Sequence, residues 1–378
     1  MSWHSCRLGD VLTLKRGHDL PEHSRQDGDV PVVSSSGITG RHKEAKAKAP
    51  GVVTGRYGTI GEVFYLEKDY WPLNTALYVI DFKGNDPRFS AYFLRNILKN
   101  YQSDKAAVPG VDRNVLHEIK VRAADYPTQR RISDILSAYD DLIENNRRRM
   151  ALLEESARQL YREWFVRLRF PGHEHTRITD GFPEGWERKR IGDIADCVGG
   201  GTPSTKVANY WEDGDVTWVT PTDVTRNRHF VLLNSEKKIT QAGLQSSSAK
   251  LVPPHAVLMT SRASVGYFAI AGREVCTNQG FISIVPHATT MSAYLLLQLS
   301  ERVDEIRAIG SGSTYPEVSR GKFREFEVLV PSLLLMKEFD DQSTLLLNQI
   351  RILKQQDLKL RAARDLLLPR LMSGELVV

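Results

Sequence analysis

The chain has 378 residues, of which 41% are hydrophobic, so it carries enough apolar side chains for more than one folded core. No apolar run approaches the ~20 residues of a membrane-spanning helix, and the first residues lack the pattern of a secretion signal. Three scattered cysteines, Cys6, Cys197 and Cys276, argue against a disulfide framework and favour a reducing, cytoplasmic compartment. The net charge of +5 permits phosphate binding without requiring it.

The sequence contains a long internal repeat. Five segments of the first half recur in the same order in the second, beginning at Trp3 and Trp186, Asp29 and Asp215, Val53 and Met259, Ser90 and Ser292, and Val111 and Val318. The separation of matched segments grows by about 20 residues after the second pair, which predicts an insertion near residues 222–250 of the second copy. A long segment that occurs twice indicates two related domains rather than a solenoid.

Each copy shows the same order of predicted elements. Alternating apolar residues over 52–65 and 256–270 predict strands with one buried face. Compact helices are predicted near 88–101 and 291–308, and final strands at 119–121 and 326–330. The predicted fold class is α+β, with two tandem globular domains that are each followed by a long helix.

The first long helix is predicted from Pro127 until Phe170-Pro171-Gly172 ends it. Residues suited to a core recur at steps of four and three, as in a coiled coil roughly 50 Å long. These residues are Ile132, Leu136, Tyr139, Ile143, Asn146, Met150, Leu153, Ala157, Leu160 and Trp164. The polar Asn146 is expected to define the register at some cost in stability.

A second helix with a similar apolar stripe follows Pro331. Its stripe contains Phe339, Leu346, Ile350, Leu353, Leu360, Leu367 and Leu371, with Ser343 and Asp357 interrupting it. We expect the two helices to pair as an antiparallel coiled coil. The predicted boundaries are a first domain at 1–126, its helix at 127–170, a linker at 171–185, a second domain at 186–331 and its helix at 332–378.

No catalytic or metal site is predicted. The glycine-rich loop that begins at Gly199 lacks the glycine before lysine of a phosphate-binding Walker motif, and His173-Glu174-His175 has no further ligands at metal spacing. Two acidic pairs, Asp140-Asp141 and Glu154-Glu155, lie among arginines and are expected on solvated helix faces.

Polar and basic residues recur on the loops of both globular copies. Arginine reads guanine edges, asparagine reads adenine, and hydroxyl groups contact bases and phosphates. The candidate DNA-binding residues are Ser34, Ser35, Ser36, Arg41, Lys43, Arg56, Tyr57, Thr59, Arg113, Asn114, Thr202, Ser204, Thr205, Lys206, Thr220, Thr222, Arg226, Arg262, Ser264, Thr314, Tyr315 and Arg320. Two pairs, Arg56 with Arg262 and Arg113 with Arg320, stand out because both copies keep an arginine; structural pairing with carboxylates is the alternative.

Specific stretches carry a family resemblance. They are residues 127–136 (PTQRRISDIL), 141–146 and 153–158, the aromatic segment 163–166, and Gly185-Trp186 followed by Gly-Gly-Thr-Pro-Ser at 200–204 and Thr-Pro-Thr-Asp at 220–223. Over essentially its whole length the chain resembles the specificity subunit of type I restriction–modification systems. The first copy departs locally, with Lys15-Arg16-Gly17-His18 in place of the Gly-Gly-Thr-Pro-Ser loop.

The resemblance implies a non-catalytic DNA-binding subunit whose two target-recognition domains read the halves of a split, asymmetric DNA site. It further implies an antiparallel helical spacer that docks methyltransferase subunits, two of them, and a separate restriction and translocase subunit. S-adenosylmethionine, ATP and Mg²⁺ are then expected on those partners. The alternatives are a self-contained methyltransferase or nuclease, and a coiled-coil assembly protein without DNA specificity.

Overall fold

The computed structural model describes residues 2–57, 61–99, 110–179, 181–311 and 316–378. The chain divides into two compact units, one formed by Met1–Ile143 with Lys359–Val378 and the other by Glu144–Leu358. Each unit combines β-sheets, short helices and part of both long helices. The α+β fold class is therefore confirmed, whereas the domain boundaries drawn from the repeat remain a prediction.

The described residues of the first unit form three sheets. Its elements are β1 (Trp3–Arg7), α1 (Leu8–Val11), β2 (Thr13–Arg16), β3 (Val30–Ser34), β4 (Gly37–His42), β5 (Gly51–Gly55), β6 (Val63–Leu66), β7 (Trp71–Pro72), β8 (Ala76–Asp81), α2 (Pro87–Lys99), α3 (Arg113–Glu118), β9 (Lys120–Ala124) and the long helix α4 (Tyr126–Tyr161). The sheets have the orders β2-β8-β5-β6, β4-β3-β7 and β1-β9. Helix α2 buries Phe89 and Phe93 in the same core as Val52 and Leu77 of the four-stranded sheet.

The second unit repeats this plan with additions. Its elements are β10 (Ile178–Thr179), β11 (Phe182–Pro183), β12 (Glu187–Arg190), α5 (Ile191–Ile194), β13 (Ala195–Gly199), β14 (Val216–Val219), α6 (Pro221–Arg226), β15 (Val231–Leu232), β16 (Lys237–Ile239), α7 (Gln241–Gln245), β17 (Val257–Thr260), β18 (Phe268–Ala271), β19 (Cys276–Thr277), β20 (Phe281–Pro286), α8 (Ser292–Glu301), α9 (Val303–Ala308), α10 (Arg320–Arg324), β21 (Glu327–Val330) and the long helix α11 (Leu333–Met372). Its described sheets have the orders β13-β20-β17-β18-β15, β16-β14-β19, β12-β21 and β10-β11.

Comparison of the sheets confirms both the repeat and the insertion. Strands β13, β20, β17 and β18 follow the order of β2, β8, β5 and β6, and β14 pairs with β16 and β19 as β3 pairs with β4 and β7. Helix α6 and strand β15 have no counterpart among the described elements of the first copy, and both lie within the predicted insertion. Strand β15 pairs in parallel with β18 and so extends the main sheet by one strand.

The two long helices pack against each other in antiparallel directions within each unit. In the first unit, Ile132 and Leu136 of α4 share a core with Leu371 of α11. In the second unit, Met150 lies with Ile350 in one cluster, and the rings of Tyr161 at the end of α4 and Phe339 of α11 have centroids 6.5 Å apart. Rising numbers on α4 thus meet falling numbers on α11, as the two stripes predict.

Most of the predicted seam is removed from solvent because these residues face the partner helix. Ile132, Leu136, Ile143, Asn146, Met150, Phe339, Ile350, Leu353 and Leu371 are buried, and Tyr139, Leu153, Leu160, Leu346, Leu360 and Leu367 are half-buried. The expectation that Glu154 lies on a solvated face is wrong, since Glu154 is 3% exposed. Among the described residues, none of the helices combines the length and the apolar character that crossing a membrane requires.

Candidate nucleic-acid interface

A polar cleft opens at one edge of the main sheet of the first copy. It has a volume of about 370 Å³ and lies between the end of β2, the residues after β5 and the start of α3. Its charged lining comprises Arg16, Arg56 and Arg113 on the basic side and Asp112 on the acidic side. The guanidinium of Arg56 lies over the ring of Tyr57, 4.6 Å from its centroid. The cleft therefore carries an excess of positive charge.

A second cleft occupies the equivalent edge of the second copy. Its volume is about 600 Å³, and it lies between the end of β13, the residue after β17 and the start of α10. Its basic residues are Lys250 and Arg320, and its one acidic residue, Glu317, lies 3.7 Å from the guanidinium of Arg262. Gln279 adds an amide to the lining. This cleft is also basic on balance, with a different set of side chains.

Strand register changes one of the matches drawn from the repeat. Val111 donates its backbone N–H to the carbonyl of Arg56 at 2.9 Å, and the equivalent Val318 donates to the carbonyl of Ser261 at 2.9 Å. Arg56 therefore corresponds to Ser261, and Arg262 lies one residue further along the chain. The match of Arg56 with Arg262 is wrong by one residue. Both copies have an arginine just after the strand, but the residue whose carbonyl accepts this hydrogen bond is the arginine in the first copy and the serine before it in the second.

The match of Arg113 with Arg320 holds in three dimensions. Each is the first residue of its short helix, and each helix buries one equivalent side chain, Leu116 or Phe323, in the core of its unit. Both arginines are exposed, and neither forms an ion pair with any residue in the part of the chain that the structure describes. Among the matched pairs of basic residues, this one combines an equivalent position with an unpaired charge.

Burial and charge also act on a histidine behind the first cleft. His117 accepts the backbone N–H of Leu14 through Nε2 at 2.9 Å. Burial, with the nearby charge of Arg113, lowers the pKa of His117. The neutral ring therefore connects α3 to strand β2, and this contact positions the two basic walls of the cleft relative to each other.

The other candidates of the first copy lie on the β3–β4 hairpin or outside the described residues. Ser34 is buried and hydrogen-bonded to Ser36 at 3.0 Å, and Ser35 is half-buried. Arg41 is exposed, donates to the carbonyl of Asp29 at 3.0 Å and lies 3.7 Å from its carboxylate. Candidates that line the first cleft are Arg56, Tyr57, Arg113 and Asn114; Lys43 is exposed on the loop after β4, and Thr59 lies outside the described residues.

In the second copy, two indoles hold the glycine-rich loop. Trp218 donates to the carbonyl of Gly201 at 2.9 Å, and Trp211 donates to the carbonyl of Ser204 at 3.0 Å. The two rings are T-shaped with centroids 5.0 Å apart. This loop carries four exposed candidates, Thr202, Ser204, Thr205 and Lys206. Thr202 donates to Gln279 of the second cleft at 2.5 Å, so the loop and the cleft share one surface.

The remaining candidates of the second copy have local structural roles, are simply exposed or lie outside the described residues. Thr220 caps helix α6, because its backbone N–H and hydroxyl both donate to Asp223, at 2.8 and 2.6 Å. Arg226 pairs with Glu236 at 3.0 Å. Thr222 and Ser264 are exposed, while Thr314 and Tyr315 lie outside the described residues.

One known family profile matches this chain at two places. The profile of the type I restriction modification DNA specificity domain matches residues 2–155 and again residues 183–354. The chain belongs to this family. The two matched segments coincide with the two copies of the repeat, which the sheets show independently.

Two specificity subunits and one solved structure illustrate the similarity. The MjaIX specificity subunit of Methanocaldococcus jannaschii is 38% identical over 152 residues, which cover 40% of this chain and 35% of that relative. The HindI specificity subunit of Haemophilus influenzae is 22% identical over 337 residues, or 73% of each chain. The type I restriction–modification S subunit of M. genitalium has the same fold, with a TM-score of 0.63 at 15% identity over 98% of this chain and 96% of that one.

A polar cluster buried on the helix pair of the second unit was not predicted. The ammonium of Lys354 donates to the carbonyl of Val231 at 2.6 Å and to the side-chain oxygen of Asn227. Glu154 accepts the backbone N–H of Phe230 at 2.5 Å. Burial lowers the pKa of Lys354 to about 8, although the charges of Glu154 and Asp357 oppose the shift. In this family member the insertion is thus attached to both long helices by charged side chains.

Several residues that line the clefts are not predicted by the sequence, because their role depends on neighbours distant in the chain. Arg16, Lys250 and Gln279 line the clefts although none belongs to a repeated segment, and Ser261 lies in a repeated segment without being a candidate. The one signal for Arg16 is its place in Lys15-Arg16-Gly17-His18, which stands where the second copy has its glycine-rich loop. Within the ranges that the structure describes, no group of three or more His, Cys, Asp or Glu side chains could hold a metal ion.

Proposed function

We propose that this chain is the sequence-specific DNA-binding subunit of a type I restriction–modification complex. In this proposal each copy reads one half of a bipartite, asymmetric DNA target. The observation that carries the proposal is the pair of basic clefts at equivalent sheet edges, with shared frames and different linings. Family membership supports a role in DNA specificity at the coarser level.

The chemistry of the clefts suits a DNA groove better than a small substrate. Guanidinium and amide groups such as Arg56 and Gln279 can donate to base edges, and basic side chains attract the phosphate backbone. Because Arg16 and Arg56 of one cleft correspond to Gly199 and Ser261 in the other, the two copies present different donors. We infer that the two half-sites have different sequences.

The proposal assigns catalysis to partner subunits. Two methyltransferase subunits with S-adenosylmethionine would methylate adenines at sites that this chain selects, and a restriction subunit with ATP and Mg²⁺ would translocate and cleave DNA. The long helices would dock the methyltransferase subunits, and their length would set the non-contacted spacer of the target. The cytoplasm is the compartment where these partners and DNA meet.

The decisive experiment is sequencing of the methylated bases in cells that express this chain with its methyltransferase subunits. The expected result is methylated adenine in a single asymmetric motif with a spacer of constant length. Cells that express the methyltransferase subunits alone should lack the motif. An unchanged methylation pattern in the presence of this chain would contradict the proposal and favour an assembly role without DNA specificity.

A second arm tests the ruler function of the helices. Removing one heptad from α4 together with the heptad that packs against it in α11 keeps the seam in phase. We expect the spacer of the methylated motif to change while both half-site sequences stay the same. If the half-sites change instead, the helices do not measure the spacer.

A further inference from the structure

The two clefts share one basic residue at an equivalent position. Arg113 and Arg320 begin equivalent helices, line equivalent clefts and are unpaired within the described parts of the chain. The backbone beneath them is also equivalent, because Val111 and Val318 each donate at 2.9 Å to the residue that follows the matching strand. Position, exposure and charge of this arginine are therefore the same in both copies.

The rest of the lining is not shared. In the second copy Gly199 stands at the position of Arg16, and the side chain of Arg320 covers this glycine. Side-chain atoms of Arg320 lie only 3.3 Å from the point that a Cβ on Gly199 would occupy, so Arg320 fills the space above the strand end. Lys250 lies on a segment that belongs to the insertion-bearing copy. The clefts thus combine one common cation with side chains that differ from copy to copy.

A common residue in two readers of different sequences can recognise only what both half-sites contain. Half-sites of different sequence need share no guanine edge that an arginine could read, whereas the sugar–phosphate backbone is the same everywhere on DNA. An unpaired guanidinium is well suited to a phosphate, since its planar donors form charge-assisted hydrogen bonds. An arginine kept only for folding would be expected to have a carboxylate partner, as Arg262 has in Glu317.

We infer that Arg113 and Arg320 each bind a backbone phosphate at equivalent places in the two half-sites, and that the unshared lining of each cleft reads bases. This inference rests on the proposed function and adds a division of roles within the same site. The two arginines would place each domain on the duplex without contributing to the sequence that it selects.

The test uses the complex of the full chain with its methyltransferase subunits, a duplex that carries the methylated motif and a scrambled duplex of equal length. Binding is measured by fluorescence anisotropy over a range of KCl concentrations. The variants Arg113→Gln and Arg320→Gln should each weaken binding to both duplexes about tenfold, because a charge-assisted hydrogen bond is lost. The slope of log affinity against log salt should fall by about 0.9 for each variant, the value for one phosphate contact.

The controls separate charge from folding and from protein assembly. Arg177→Gln removes an exposed arginine outside both clefts and should leave affinity and slope unchanged. Arg113→Lys should retain the slope while losing part of the affinity, because lysine keeps the charge without the planar donors. Size-exclusion chromatography of each variant complex reports whether the methyltransferase subunits remain bound.

Three results would overturn the inference. They are an unchanged salt slope in both glutamine variants, a methylated motif whose half-site sequence changes, or loss of the methyltransferase subunits with DNA binding intact, which would assign the arginines to an acidic protein surface. Failure of the proposed function looks different: the unaltered complex would bind target and scrambled duplexes equally. Even then the salt slopes would show whether the arginines contact phosphates.

Discussion

Asn146 donates a hydrogen bond from its side-chain amide to Asp357 Oδ1 at 3.2 Å, on the buried face where α4 and α11 meet in the second unit. Both side chains are nearly inaccessible, with 5% and 8% exposure. The two residues break the apolar stripes at the same level of the helix pair, so each satisfies the polar group of the other. A shift of one helix along the other would place both opposite apolar side chains, which gives the pair a role in selecting the register.

The first prediction concerns this pair. Asn146→Leu should lower the free energy of unfolding by about 1–3 kcal/mol, because Asp357 then stays buried without its amide donor. The double variant Asn146→Leu/Asp357→Leu should recover most of this loss, since an apolar pair replaces a half-removed polar one. Thermal and urea unfolding measure both effects. The neighbouring exposed Asn145 supplies the control, and an equal loss in Asn145→Leu would show that the buried pair has no special role.

The second prediction follows from the pKa of Lys354, which is about 8 in the folded chain against an ordinary 10.5. Below pH 8 both the folded and the unfolded chain hold the proton, and the cost of burying the charge is present in full. Between about pH 8 and 10.5 the unfolded chain binds a proton that the folded chain has released, so stability rises with pH. From pH 7 to pH 10 this group should add about 2–3 kcal/mol.

The variant Lys354→Met isolates this effect. The variant should lack the rise in stability with pH. Relative to the unaltered chain, its free energy of unfolding should therefore fall by about 2–3 kcal/mol between pH 7 and pH 10. Lys359→Met on the same helix is the matched control, because Lys359 is exposed and its removal should leave the rise intact. A rise that survives in Lys354→Met would contradict the assignment.

The third prediction concerns the first unit, where Asp140 accepts the Tyr92 hydroxyl at 2.6 Å and pairs with Arg364 at 2.5 Å. Asp140→Leu leaves a largely buried guanidinium without its carboxylate and a buried phenol without its acceptor. We expect a loss of about 3–5 kcal/mol. Asp141→Leu alters a side chain that is 67% exposed, and its effect should stay within about 0.5 kcal/mol. Chemical unfolding measures the free energy of both variants, and equal losses would contradict the role assigned to Asp140.

The fourth prediction links the indole pair to specificity. Trp211→Ala removes the hydrogen bond to Ser204 and the ring contact with Trp218, so the loop that carries Thr202 and Lys206 loses its support. We expect degeneracy in the half-site read by the second copy and an unchanged first half-site, both visible in the methylated motif. Trp211→Phe keeps a ring but loses the donor and should be intermediate. Degeneracy in both half-sites would refute the assignment of this loop to one reader.

Much of the architecture was determined by the sequence alone. Residues such as Ile132 and Leu136 recur at helical spacing. That periodicity is a local property, so it can be recognised in the sequence without knowing the fold. The repeat that begins at Trp3 and Trp186 established two related domains, and the growing separation of its segments located the insertion. These features depend on order along the chain, which the sequence records directly.

The tertiary structure decided which residues share a site. Arg56 and Arg262 looked equivalent because short polar motifs can be aligned one residue apart, and only the backbone hydrogen bonds of the sheet resolve a shift of one residue. Arg16 and Arg113 are far apart in sequence yet line one cleft, because β2 and α3 meet at the same sheet edge. Sequence spacing carries no information on such contacts.

Burial of charge was likewise decided by packing. Glu154 lies among charged residues, a pattern typical of a solvated helix face. The insertion nevertheless covers Glu154, and the backbone N–H of Phe230 donates to its carboxylate. Lys354 is half-buried beneath the same segment, where its ammonium donates to the carbonyl of Val231. The helical periodicity could place both residues on α4 and α11, but the cover comes from a residue 76 positions away from Glu154. A contact over that distance is a property of the fold, which is why the sequence predicted the helices and not the cluster between them.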